Sequence, residues 1–348
     1  MMQGLGDGAR LARAASALVW DHMAAKEGES ILVTADSGSD ASVVDALVAA
    51  AGLVGARPVA ALIPRLPFQG RLADPYLPSA LRAAAVETDI WIDLTHPFLA
   101  GSEVHDAALG GKRARYLGAG GLDAAGLIRL YGMVDGDRLF ELQSGVDALI
   151  ADAVGKECRV TDMLGTEVTF TLAKATQTKT RRALAPGSNT IPGSSVLLPE
   201  IESVRGKIRL VAAMHEYYAP FTSPLTLAVD GRIRAIEEEG PEAALLDRAL
   251  RRAGRGEYGH VIHFSYGFHP AARFRGTCFV EDIRFAGCNA IGLGTPWWAP
   301  GGGENHPDGI VMGQTLEVSG KTIVRQGRLV APAELATLAA EMKLDHDP

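Results

Sequence analysis

Cysteine is scarce, with only Cys158, Cys278 and Cys288 among 348 residues. An odd number at those spacings makes neither a disulfide framework nor a zinc knuckle, so a reducing cytoplasm is the expected home. Long apolar runs are missing too. The most apolar stretch, residues 41–63, is broken by Asp45, Gly52, Gly55, Arg57 and Pro58, which denies it the ~20 consecutive apolar residues of a membrane-spanning helix. The N-terminal segment carries Asp7, Arg10 and Arg13 and has no apolar core of a secretory signal. Basic residues are in deficit: Lys and Arg number 34 against 41 Asp and Glu, a formal charge of −7. Neither nucleic acid nor an anionic membrane is therefore an expected partner, because both call for a basic patch. The loop at residues 36–40 (DSGSD), which invites a nucleotide-binding reading, carries neither of the phosphate-binding patterns GxGxxG and GxxxxGK(S/T). Ser194 and Ser195 sit in no GxSxG elbow, which counts against a serine hydrolase.

What is present reads as a two-domain α/β enzyme. Hydrophobic residues make up 47%, charged residues 22%, and there are 40 glycines, a composition that suits loop-rich globular domains. In the first half, β-rich runs at residues 30–35 (SILVTA), 56–63, 89–94 (DIWIDL) and 113–118 alternate with Ala-rich helical stretches at 41–52, 79–86 and 124–131. Such alternation predicts βαβ units and a doubly wound parallel sheet. The loop at 36–40 (DSGSD) is read as a helix-entry turn. From about residue 155 short alternating strands take over, at 157–164, 167–173, 207–213, 225–229 and 232–237, with one convincing helix at 241–252. Three more strands, 315–318, 321–325 and 328–330, are divided by Ser319-Gly320 and Gln326-Gly327. The expected organisation is a Rossmann-like α/β domain over residues 1–155, followed by an α+β catalytic domain over 156–348.

Histidine placement carries the chemistry. Four of the nine histidines, His260, His263, His269 and His306, fall between residues 260 and 306. In Glu304-Asn305-His306-Pro307-Asp308-Gly309 an imidazole and a carboxylate stand two apart, and residues i and i+2 of an extended segment point the same way. His306 and Asp308 can thus grip one ion, with a third ligand from His260, His263 or His269. Strand alternation puts His260 and His263 on opposite faces, so the two do not serve together. Two imidazoles and one carboxylate form the facial triad of Fe(II) oxygenases, and a similar set holds hydrolytic zinc. His-Pro-Asp-Gly is equally a good turn sequence.

From about residue 192 to 330 the chain resembles the aminopeptidase T family of metalloenzymes, and within it the mononuclear-iron 2,5-dihydroxypyridine 5,6-dioxygenase branch. The resemblance rests on Tyr258-Gly259-His260-Val261-Ile262-His263-Phe264, on Gly267, Pro270 and Arg273, on Glu281-Asp282 and on His306-Pro307-Asp308. Residues 225–237 (LTLAVDGRIRAIE) also resemble the family's segment ahead of its helix. It implies iron held by His263, His306 and Asp308, a hydroxylated N-heteroaromatic substrate, dioxygen as co-substrate, an N-formylmaleamate-type product and a homo-oligomer, dimer or hexamer. The two-metal peptidase pattern is broken, since the turn Ile191-Pro192-Gly193-Ser194-Ser195-Val196 has Ser where a Glu is expected and Ala290 stands where a His is expected, and neither Ser nor Ala can replace such a ligand. The rival expectation is a single-metal hydrolase using Zn, Mn or Co at the same ligands. A binding protein with a vestigial site is a third.

Other residues complete the expected site. His96 and His105 follow the 89–94 strand, where loops of a parallel sheet face a ligand crevice. His269 is a candidate proton donor and Glu304 a partner orienting an imidazole. Trp297 and Trp298 are candidates for an aromatic wall. His215-Glu216-Tyr217-Tyr218 is chemically rich but reads as an edge or interface segment.

Overall fold

A computed structural model of the chain describes residues 2–174, 182–215, 218–296 and 306–342. It divides into two compact units. The first takes residues 1–140, 179–192 and 278–281, the second residues 141–178, 193–277 and 282–348. The chain is α/β, with a doubly wound parallel sheet and a large antiparallel sheet.

The parallel sheet is built from β1 (Ser30–Asp36), β2 (Arg57–Ile63), β3 (Ile90–Asp93) and β4 (Arg115–Gly118). Two antiparallel strands, β5 (Glu157–Thr161) and β6 (Glu167–Thr171), follow in the chain before β7 (Gly187–Thr190) completes the parallel set. Its order is β2-β1-β3-β4-β7. Helices α1 (Met2–Ser16), α2 (Ala41–Leu53), α3 (Ser79–Val86), α4 (Glu103–Gly110) and α5 (Ala124–Leu127) belong to this unit, and α6 (Gly136–Asp152) follows. β1 and β3 are buried along nearly their whole length, as strands covered on both faces must be. Asp40 starts α2 by accepting the Ser42 amide at 2.9 Å, an ordinary side-chain cap. The loop at 36–40 therefore does the structural work its sequence implied.

At the carboxyl end of β3 sits a fully buried polar cluster. Asp93 accepts hydrogen bonds from Thr34 Oγ1 (2.8 Å), Thr95 Oγ1 (2.6 Å), Tyr116 OH (2.7 Å) and the Leu99 amide (3.0 Å). Trp91 joins by donating its indole N–H to Thr34 Oγ1 at 2.9 Å and by meeting Tyr116 edge to face. Burial nevertheless pushes the Asp93 carboxyl above its ordinary range, because desolvation outweighs five donors, the Thr95 amide at 3.1 Å being the fifth.

The second unit holds β8 (Ser194–Leu197), β9 (Arg205–Met214), β10 (Tyr218–Asp230), β11 (Arg232–Ile236), β12 (His260–Gly267), β13 (Cys288–Gly294), β14 (Asp308–Met312), β15 (Thr315–Val318), β16 (Lys321–Arg325) and β17 (Arg328–Leu329). With β5 and β6 they form one sheet, ordered β17-β16-β15-β5-β6-β9-β14-β13-β12-β8, and β10 pairs with β9 and β11. Phe170 and Phe264 stack at 4.5 Å in its core. α7 (Pro241–Ala253) turns Ala243, Leu246, Ala249, Leu250 and Ala253 inward at helical spacing. α8 (Phe279–Asp282) and α9 (Ala333–Glu341) complete the elements. No helix among the described residues is long and apolar enough to cross a membrane.

Three local expectations are corrected. His105 lies on the first turn of α4, with Ser102 as its cap, not in a loop. Ser194 and Ser195 begin β8 rather than a turn. His260 and His263 are not parted by alternation, since the register against β13 shifts between Val261 and His263 and sets them opposite Gly294 and Gly292. An extra residue in a strand cancels one step of the alternation.

Candidate metal centre

β12, β13 and β14 lie side by side, and their register sets one row across the sheet. His263 pairs with Gly292, and Gly292 with Asp308. Paired residues project to the same face, so His263 and Asp308 stand together with one strand between them. Two strand spacings hold the backbones ~10 Å apart, yet His263 Nε2 reaches to 3.2 Å from an Asp308 carboxylate oxygen. Gly292 makes this approach possible. A Cβ there would stand 2.3 Å from His263 Cδ2 and 2.4 Å from Nε2, well inside contact distance.

His306 lies immediately ahead of β14 and brings its Nε2 to 3.7 Å from the other Asp308 oxygen. The two imidazoles meet edge to face, 5.8 Å apart at 84°. One donor atom from each of His263, His306 and Asp308 lies within 4.8 Å of the others, and among the described residues no other group of His, Cys, Asp and Glu meets that condition. His263 and Asp308 are buried and His306 is half-buried. Two imidazoles and a carboxylate turned on one another can offer three lone pairs, and a divalent cation satisfies all three. The residues fit a metal.

His260, His269 and His215 are not members of this trio. His260 Nε2 stands 3.0 Å from Glu202 and does not join the group. His269 is 1% exposed, and its Nδ1 accepts the amides of Ala271 and Ala272, both at 3.2 Å. That fixes the neutral tautomer, leaving Nε2 to carry the proton. His215 is buried just after β9. Glu304, Trp297, Trp298, Glu216 and Tyr217 lie outside the described residues.

Positions that depart from the peptidase pattern have structural partners. Gln143 donates to the Ser194 carbonyl and, at 3.1 Å, to Ser195 Oγ, which in turn donates to Asp147 at 2.7 Å. Ala290 faces the same side as Gly292, two residues along β13, opposite Ser265 and Ile310. Glu281 is buried against Arg129, with bonds of 2.5 and 2.8 Å. Asp282 accepts Tyr218 OH at 2.8 Å and the amides of Arg275 and Gly276. Both carboxylates hold structure. Gly292 escaped the sequence reading, although a glycine inside a strand is a recognised mark of close approach.

His96 and His105 belong to the first unit. The ring of His105 packs edge-on against Tyr116 at 4.6 Å, and burial lowers its basicity against the opposing pull of Asp106. The backbone amide of His96 donates to Asp36 at 2.7 Å. Burial, with the Arg65 guanidinium second, pushes the His96 imidazole down to about 4 while Asp36 opposes. Between that value and the ordinary 6.5 the unfolded chain binds a proton that the folded chain refuses. His96 therefore costs nothing above pH 6.5 and lowers stability as pH falls to 4, by up to about 3 kcal/mol. Asp93 acts in the opposite sense, because protonation relieves its buried charge. Urea unfolding at pH 7 and 4.5 checks this: the wild type loses stability toward the acid side, and His96→Gln loses less.

The family model for NicX, 2,5-dihydroxypyridine 5,6-dioxygenase, matches residues 15–331. The chain is thus an enzyme of the ring-cleaving dioxygenase class. It belongs to the 2,5-dihydroxypyridine 5,6-dioxygenase family. Among solved structures it is similar to the 2,5-dihydroxypyridine dioxygenase of Pseudomonas putida KT2440, with 20% identity and a TM-score of 0.75 over 94% of this chain and 99% of that one. It is also similar to wild-type AmpT of Thermus thermophilus, with 14% identity and a TM-score of 0.63 over 92% and 99%. These two likenesses are of fold. No curated protein matches the chain.

Proposed function

We propose that this chain opens the ring of a hydroxylated N-heteroaromatic such as 2,5-dihydroxypyridine, using dioxygen and one Fe(II) held by His263, His306 and Asp308. The convergence of those three side chains, in a member of this dioxygenase family, carries the reading. A ferrous ion in such a set supplies the redox coupling between an electron-rich ring and dioxygen. The chain's own part is geometry and protons. His263 and His306 present Nε2 and Asp308 both oxygens, with His263 and Asp308 on strands of the sheet and His306 just ahead of β14. His269, oriented through Nδ1, offers a proton at Nε2. His96 and His105, whose basicity burial lowers, are assigned as substrate contacts. Three free, buried cysteines accord with a reducing cytoplasm.

The test is anaerobic reconstitution with Fe(II), then addition of 2,5-dihydroxypyridine with and without oxygen, following the ring's ultraviolet band and dissolved oxygen together. The expected result is loss of the band matched by equimolar oxygen uptake. Loss of the band without oxygen would move the chain to the single-metal hydrolases with Zn, Mn or Co.

A further inference from the structure

β2 is an outer strand of the parallel sheet, seven residues long, with the sequence RPVAALI. Outer strands of such length are normally guarded by charge, a bulge or a cover, because their free backbone groups recruit other strands. Among the described residues this one is not guarded. Residues 58–63 carry no charge, and its pairing with β1 runs unbroken from Arg57 to Ile63. Val59 is 58% exposed and Leu62 75%, and Leu53, which ends α2, is 76% exposed. By contrast β11 carries exposed Arg232 and Arg234, and β17 has only two residues.

The direction of the free groups follows from one bond. The Arg57 amide donates to the Glu29 carbonyl, toward β1. Successive backbone groups alternate, so those of residues 57, 59, 61 and 63 face β1, and those of 58, 60 and 62 face outward. Pro58 has no N–H to leave open, as suits an outer strand. The open donors are Ala60 and Leu62.

We propose that β2 pairs antiparallel with β2 of a second copy of this chain, about a two-fold axis at Ala60, joining the two parallel sheets into one. The strand is complementary to itself in that register, which is what a two-fold contact demands. Each Ala60 amide meets the other copy's Ala60 carbonyl, and each Leu62 amide meets the other copy's Pro58 carbonyl. The missing Pro58 donor leaves one gap in each copy. Side chains match as well. Leu62 shares a face with its β1 partner Ala35, whereas Val59 shares the opposite face with Leu32. α2 ends four residues before β2 begins, so the axis carries each Leu62 over the second copy's Pro58, toward the end of the strand beside Leu53. Val59 falls against Ala61. The nearest charges, the two Arg57 guanidiniums, end ~20 Å apart at opposite ends of the pair, so no like charges collide. The inference is independent of the metal reading.

The experiment uses the full chain. In Ala60→Cys the new thiol is the accessible one, since the three native cysteines are buried. A short bis-maleimide should then give a covalent dimer on a denaturing gel, and adding Leu62→Asp should abolish it. In sedimentation velocity, Ala60→Pro removes an N–H that the single chain does not use, and should weaken self-association at least about tenfold while leaving the far-ultraviolet circular dichroism unchanged. Absence of cross-linking in Ala60→Cys would overturn the proposal. So would wild-type sedimentation in both Ala60→Pro and Leu62→Asp.

Discussion

Asp308→Asn should reduce turnover by more than ~100-fold and leave the purified protein without retained iron, because the loss exceeds that of a residue that merely orients a ligand. The substitution keeps the side chain's size and the pairing of Asp308 with Gly292 and Met214, so the sheet survives. What goes is the one negative charge facing two imidazoles at 3.2 and 3.7 Å. An amide offers a weaker oxygen and a nitrogen that cannot bind at all. Metal content by mass spectrometry and oxygen uptake should fall together, and added iron should restore neither. Full activity in Asp308→Asn would show that the carboxylate is not a ligand.

Gly292→Ala should do comparable damage from a residue that binds nothing. The new methyl would stand 2.3 Å from the His263 ring, and the ring must swing away from Asp308 to admit it. A 10–100-fold loss of metal affinity is expected, the range found when a ligand loses its support, with a packing cost of about 1–3 kcal/mol. All three donors remain in the chain, so excess iron should recover part of the turnover. Rescue by excess metal in Gly292→Ala, and none in Asp308→Asn, separates a misplaced ligand from a missing one. A metal titration monitored by activity and by bound iron reads both.

The sequence showed most where local chemistry decides. The strands at 315–318 and 321–325 coincide with β15 and β16 because Ser319-Gly320 and Gln326-Gly327 bring their own turn geometry. The 241–252 helix was legible from its apolar spacing and its leading proline. Less local elements were not. α1 forms across a segment holding Gly4, Gly6 and Gly8, poor helix residues that packing overrides. At the centre, His306 and Asp308 stood out as near neighbours in sequence. The choice among His260, His263 and His269 rested on a resemblance, since strand alternation misjudges His260 once the register shifts after Val261. Gly292 was hidden for another reason: what matters there is an atom it does not have, and only the opposing imidazole reveals the need.

The row of His263, Gly292 and Asp308 also has a bearing on how the chain assembles. Residues 264–305 separate the first histidine from the second, so the three donors meet only after β12, β13 and β14 have found each other. A slip of one residue anywhere in that set turns a donor to the far side of the sheet. A misthreaded molecule would therefore offer a metal no such set, and a correctly threaded one would gain from binding it, by about 2.7 kcal/mol when free metal exceeds the dissociation constant a hundredfold. A divalent metal taken up by these donors would thus proofread strand alignment, rewarding only the sheet that brings the three together.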